Sequence, residues 1–266
     1  MLKQRIITAV LLAPIVLGII IYANEFYFTL FVGFLTLMIS YEWCQIVKKA
    51  KINSLIISAA TAIAVIFINQ ASFIVIDVER ILIAAIVLWL LCFIWLFKPN
   101  QGKQKDSIKY ALGVGILLLF GASLTAIHQN TEYGVKATLV LFFLVWIADI
   151  GAYVAGKSFG KHKLAKQISP GKTIEGLIGG LVFTAIFAFF VSQWMGYDWL
   201  YFVIVFPILA IISVIGDLFA SLLKRHSNTK DSGFLLPGHG GFLDRFDSLI
   251  ATAPFYFAFL TYLPYI

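Results

Sequence analysis

Charge is what this chain has least of. Asp, Glu, Lys and Arg make up 12% of its 266 residues, against 61% hydrophobic ones, and the mean hydropathy is +0.95. A soluble domain carries about twice that charged share, so a water-solvated globule is excluded. Cysteine is nearly absent. Cys44 and Cys92 both fall inside apolar runs, which argues against a disulfide framework and leaves them to core packing. No cysteine pair or histidine cluster offers a zinc-type ligand set. Nothing between the apolar runs has room for a separate soluble domain, so one integral-membrane domain over residues 1–266 is expected.

What is there is a succession of apolar runs. Nine are long enough to cross roughly 30 Å of hydrocarbon, at about 6–23, 26–47, 54–76, 81–97, 110–127, 135–155, 174–194, 200–222 and 248–265. They are too long and too continuously apolar for membrane strands, so the fold class is all-α integral membrane, a polytopic bundle of about nine transmembrane helices. The first run follows Lys3 and Arg5 but exceeds a signal-peptide core, and it is kept as a helix. Asn69 and Gln70 interrupt the third.

Alternating the segments puts 18 of the 20 Lys and Arg residues on one side, leaving Arg80 and Lys136 on the other. Basic loops stay in the cytoplasm, so the N-terminus is expected inside and the C-terminus outside. The net charge of +7 is then mostly topological and calls for no nucleic-acid polymer. Orientation and contact with anionic membrane lipids fully account for the loops at Lys48 and Lys103.

Two segments on the basic side exceed that explanation. Residues 156–173 read GKSFGKHKLAKQISPGKT. Gly171-Lys172-Thr173 looks like the end of a phosphate-binding P-loop, but Lys166 stands where that motif needs glycine, and no preceding strand is expected in a membrane bundle. What remains is Ser169-Pro170 ahead of a helix start, then Lys172 and Glu175: a capped N-terminus carrying a cation, suited to phosphate or merely to capping. The second segment, Ser221 to Asp247, reads SLLKRHSNTKDSGFLLPGHGGFLDRFD and is the most charged stretch of the chain.

Carboxylates within apolar runs are costly, at least about 2.5 kcal/mol near a helix centre. Glu42, Asp149 and Asp217 are of this kind. Glu42 is expected to make a structural hydrogen bond to a neighbouring helix. Asp149 shares a stripe with Tyr153 and Lys157, and Asp217 with Ser221 and Lys224. Asp217 is read as functional, Asp149 as functional or structural. Asp231, Asp244 and Asp247 are hard oxygen donors that, with Asp217, suit a divalent cation of the magnesium type. Lys224, Arg225, Lys230 and Arg245 suit phosphate oxygens, and the loop glycines would let backbone approach a nucleotide. His128, His162 and His226 are expected to be solvated. Metal, basic clamp and membrane together suggest phosphoryl or nucleotidyl transfer on a lipid, with transport still open.

Ser221, Lys224, Arg225, Lys230-Asp231, Gly233, Leu236-Pro237, His239-Gly240-Gly241, Asp244-Arg245 and Asp247 resemble the signature of the phosphatidate cytidylyltransferases, also called CDP-diacylglycerol synthases. Upstream, Asp149, Gly156-Lys157, Phe159-Gly160-Lys161, Ser169-Pro170, Lys172-Thr173 and Gly176 are similar to a second block of that family. With Gly216-Asp217 the resemblance covers the half from about residue 135 to 266; the N-terminal half matches in hydropathy alone.

The resemblance implies transfer of CMP from CTP to phosphatidic acid, yielding CDP-diacylglycerol and pyrophosphate, with Mg2+ as cofactor. On that reading Asp217 and Asp244 are metal ligands, and Asp231 and Asp247 are further ligands or orient them. Lys224 and Arg225 act in catalysis, and Lys172, Ser169, Lys230, Arg245, Asp149 and Ser221 bind substrate. His239 touches the nucleotide or stabilises a turn. The expected setting is a bacterial inner membrane with the site facing the cytoplasm. Gly176 and Gly180 allow close packing, either within the chain or as the seam of the homodimer known in the family. The alternatives are a CTP-dependent lipid-alcohol kinase and an ion- or proton-coupled transporter, the latter without the internal repeat it would predict.

Overall fold

The computed structural model of the chain describes residues 2–47, 51–70, 77–130, 133–233 and 240–263. Nine helices are found among them, in the order expected: α1 (Leu2–Tyr22), α2 (Glu25–Ile46), α3 (Lys51–Gln70), α4 (Val78–Leu96), α5 (Asp106–His128), α6 (Gly134–Phe159), α7 (Ile174–Met195), α8 (Trp199–His226) and α9 (Leu243–Tyr262). The expected third span reaches beyond Gln70 into residues 71–76, which lie outside the described residues. Seven helices, α2 to α8, are long and apolar enough to cross a bilayer. Side chains of α1 are described only from Leu12, and its apolar part from there to Tyr22 is shorter.

The last helix in sequence is a central one in space. α9 packs against α2, α4, α5, α6 and α8. It buries Tyr256 completely in an aromatic cluster with Phe202, Phe206 and Phe259. Being enclosed by protein, α9 can open with Asp244, Arg245 and Asp247 and bury Ser248 and Thr252, which a lipid-facing helix would not tolerate. α5 is buried along most of its length, while α3, α4 and α7 turn Leu55, Ile83, Ile178 and similar residues outward, as lipid-facing helices do.

Between α6 and α7 the chain forms a two-stranded antiparallel hairpin, β1 (Lys163–Ala165) and β2 (Ser169–Thr173), paired Lys163 with Thr173 and Ala165 with Ser169. This corrects the expectation that no strand precedes α7. The P-loop reading still fails, on Lys166 and because the hairpin, an antiparallel pair, is the sheet found among the described residues. The helix cap is also different: Thr173, at the end of β2, accepts the Gly176 N–H at 3.1 Å, rather than Ser169-Pro170.

One end of the bundle is tied together by hydrogen bonds from the end of α8. The Ser227 hydroxyl donates to the Ile46 carbonyl of α2. His226 Nε2 meets the Pro99 carbonyl after α4 at 2.7 Å, and Arg225 Nε donates to Ile168 in the hairpin at 3.2 Å. His226 is therefore buried, not solvated. So is His128, stacked on Phe28 at 3.7 Å and bonded to the Ile20 carbonyl. His162 is exposed, as expected, but its ring sits 2.6 Å from Glu175.

Candidate active site

At the tied end, α6 and α7 run in backbone contact. A Cβ on Gly176 would sit 2.8 Å from the Ala152 carbonyl, one on Gly179 2.8 Å from that of Gly151, and one on Gly180 2.9 Å from that of Ala148. The close contact expected of Gly176 and Gly180 is therefore internal, with α6 as the partner. Because the two helices touch, the hairpin that joins them folds back over α6. The result is a cavity of about 380 Å³ lined by Asp149, Tyr153, Lys157, Leu164, Lys172 and Thr173, with Val214 of α8 on its inner side. Lys157 lies 5.8 Å from the Tyr153 ring centre, so the side chains of that stripe cluster along one wall.

The inner edge of this cavity is where the charges meet. Lys172 Nζ is 2.5 Å from Asp217 Oδ2, and both side chains are about a quarter exposed. The Ser221 hydroxyl donates to the other Asp217 oxygen at 3.3 Å. Asp217 is within charge range of Asp149 and Asp247, and Lys172 and Arg245 within range of Asp149. The neighbouring Gly216 explains why Asp247 is so near: its Cα faces α9 so closely that a Cβ would be 2.6 Å from the Asp247 carbonyl. Asp247 also accepts the Ser248 N–H at 2.8 Å.

Asp244 is engaged on both oxygens. One is 2.5 Å from Lys224 Nζ, and the other accepts the N–H groups of Ser232 at 2.8 Å and Gly241 at 3.1 Å. With a cation and two amides around it, this buried carboxyl is satisfied as a carboxylate. Asp231 is exposed and lies beside Asp244, across Gly240, whose φ of +79° needs no side chain. Lys230 and Arg245 are exposed. Arg225 spends donors on the carbonyls of Ile168 and Thr229, which holds the hairpin to α8. Ser169 sits half-buried in β2. His239 lies outside the described residues.

The predicted residues thus gather into two linked groups, Asp149 and Lys172 on the cavity wall with Asp217 and Asp247 in charge contact with them, and Lys224–Asp244–Asp231 at the loop. Among the described residues, no three His, Cys, Asp or Glu side chains converge as a cation-binding set. The donor chemistry still fits a hard divalent ion. Asp149 and Asp247 each lie within charge range of Asp217, which is paired with Lys172, and all three are hard oxygen donors of the type such an ion takes.

Glu42 makes the structural hydrogen bond to a neighbouring helix that was expected of it, to the start of α9, but the crowding of the loop glycines against it was not anticipated from sequence. The loop glycines at 233 and 241 do not open space for a ligand: Cβ atoms there would collide with the Glu42 carboxylate of α2. Glu42 itself accepts from Ser232 Oγ, Phe242 N and Leu243 N at 2.8, 3.0 and 2.9 Å. The sequence signal was present, a carboxylate in an apolar run, but its partners lie about 200 residues away.

A family model described as the cytidylyltransferase family matches residues 3–263. The chain belongs to the cytidylyltransferase family. Three relatives agree over nearly their whole length. A phosphatidate cytidylyltransferase of Pseudomonas aeruginosa is 36% identical, covering 98% of this chain and 97% of that one. Proteins of the same name from Bacillus subtilis and Haemophilus influenzae are 34% and 32% identical, covering 97% and 96% of this chain and 97% of each of those. Family membership therefore extends across α1 to α5, where the sequence alone offered only matching hydropathy.

Proposed function

We propose that this chain is a phosphatidate cytidylyltransferase, transferring CMP from CTP to phosphatidic acid to give CDP-diacylglycerol and pyrophosphate. The observation that carries the reading is the near full-length match to relatives of that name, and the charged cavity is what the reaction requires. A phosphate oxygen of the lipid attacks the α-phosphorus of CTP. The bond from that phosphorus to the bridging oxygen of the β-phosphate breaks, and pyrophosphate leaves. A phosphomonoester has a second pKa of about 6, so the attacking group is already ionised and no general base is required. The barrier is repulsion between two anions, so catalysis rests on neutralisation and alignment.

Lys157 and Lys172 supply positive charge in the cavity, and Tyr153, Leu164 and Leu177 supply apolar surface beside it. We assign the lipid phosphate to that wall. Lys224, oriented by Asp244, and the exposed Lys230 and Arg245 face the triphosphate, with Ser221 steadying Asp217. Asp217 and Asp247 would hold Mg2+, while Asp244, first expected as a ligand, has both oxygens taken by Lys224 and the Ser232 and Gly241 amides and would orient Lys224 instead; the ion would supply charge neutralisation of the phosphates. The strong Lys and Arg bias and the bacterial relatives support an inner-membrane setting with the site on the cytoplasmic face, where CTP is found. Purified protein in detergent, given CTP, Mg2+ and phosphatidic acid, is expected to release pyrophosphate and form CDP-lipid. Formation of CDP and a phosphorylated lipid alcohol instead would make it a kinase, and no product at all would overturn the reading.

A further inference from the structure

The N-terminal helices carry no residue of the signature, yet one of them reaches the loop that does. Glu42 of α2 is 2% exposed, and its two oxygens take three donors from the far end of the chain. Oε2 accepts from the Ser232 hydroxyl and the Leu243 N–H, and Oε1 from the Phe242 N–H. Phe242 is the N-cap position of α9 and Leu243 its first residue. The first N–H groups of a helix have no partner within it, and the Phe242 side chain offers no cap. The cap of α9 is therefore provided from another helix, as a carboxylate at the positive end of the helix dipole.

Asp244 takes the donors that Glu42 leaves. It accepts the N–H groups of Ser232 and Gly241, so the two carboxylates divide the donors at the two ends of the loop between them. Ser232 is bonded to both, through its hydroxyl to Glu42 and through its N–H to Asp244. The fit is close: a Cβ on Gly233 would lie 2.7 Å from Glu42 Oε1. Asp244 in turn holds Lys224, and Asp247 follows three residues on, along the same face of α9. Glu42 does not line the cavity.

We propose that Glu42 is a positioning residue of the transfer reaction: by capping α9 and bonding Ser232, it sets where Asp244, Lys224 and Asp247 stand. It acts through the loop and touches no substrate. The kinetic arm of the test rests on the transfer activity proposed above, and the exchange arm does not.

The full-length protein in detergent is compared with E42Q, which keeps the side-chain size but cannot accept on both ends, and with S232A, which removes one donor and leaves Glu42 in place. E42Q is expected to lower kcat by about 30-fold or more, as small misplacements of reacting groups do. KM for phosphatidic acid, bound between α6 and α7, is expected to stay within about twofold. S232A should show the same split, with kcat lower by about fivefold. In hydrogen–deuterium exchange, amides of 241–243 in E42Q should exchange at least about 10-fold faster while those of α6 and α7 keep their protection. Unchanged protection at 241–243, or a kcat within about threefold of wild type, would overturn the proposal. Loss of protection throughout α2, α5 and α9 would make Glu42 a folding residue only, and overturn it equally. A wild-type protein without transferase activity would sink the proposed function, and the exchange arm would still decide whether Glu42 holds the loop.

Discussion

At the scale of single residues, the site gathers carboxylates, two of them paired with lysines. Lys172 is the cation between Asp217 and the cavity, so Lys172→Ala leaves three neighbouring acids with less to balance them. Its kcat/KM is expected to fall about 100-fold or more, the scale of losing one preorganised charge at a transferring phosphate. A steady-state assay of pyrophosphate release checks this. Asp244→Asn removes the charge that holds Lys224 but leaves an oxygen for the Ser232 and Gly241 amides. It should abolish turnover in a protein that still melts cooperatively; a near-normal rate would remove Asp244 from the machinery. These residues were legible in the sequence because charge is rare in an oily chain. Their pairing was not: nothing in the spacing says that Lys172 meets Asp217, or that Asp244 spends both oxygens within the loop.

At the scale of elements, the site exists because two helix pairs touch at glycine. Gly176, Gly179 and Gly180 bring α7 against the carbonyls of α6, and Gly216 brings α8 against α9. Gly179→Leu must push α6 and α7 apart, since a side chain there meets the Gly151 carbonyl and Ala155. A destabilisation of about 1–3 kcal/mol is expected, with activity falling further than stability because the hairpin hangs from this contact. Thermal unfolding in detergent beside the assay separates the two. Thr173→Ala removes the α7 cap and should cost about 1 kcal/mol. The GxxxG spacing could be read in sequence as a tight contact, while its partner could not, because association along a membrane helix depends on what lies opposite. The hairpin escaped for a different reason: strands of three and five residues, rich in Lys, Gly and Ser, have no apolar alternation to announce them.

At the scale of the whole molecule, the end of α2, the segment after α4, the hairpin after α6 and the end of α8 are joined by hydrogen bonds at one end of the bundle. A cysteine in place of the exposed Gln167, in a background lacking Cys44 and Cys92, should react with an impermeant reagent only from the cytoplasmic face. Labelling from outside would reverse the orientation. The sequence by itself determined the membrane setting, the number and approximate limits of the helices, and which two segments concentrate the charge. Each follows from composition and periodicity, which depend on neighbours in the chain. Only the tertiary structure decided that α9 is enclosed by other helices, that α6 and α7 frame the cavity, and that Glu42 caps a helix about 200 residues away. These are contacts between segments distant in sequence, set by which surfaces fit closely enough to satisfy every buried donor and acceptor, and no local pattern encodes that.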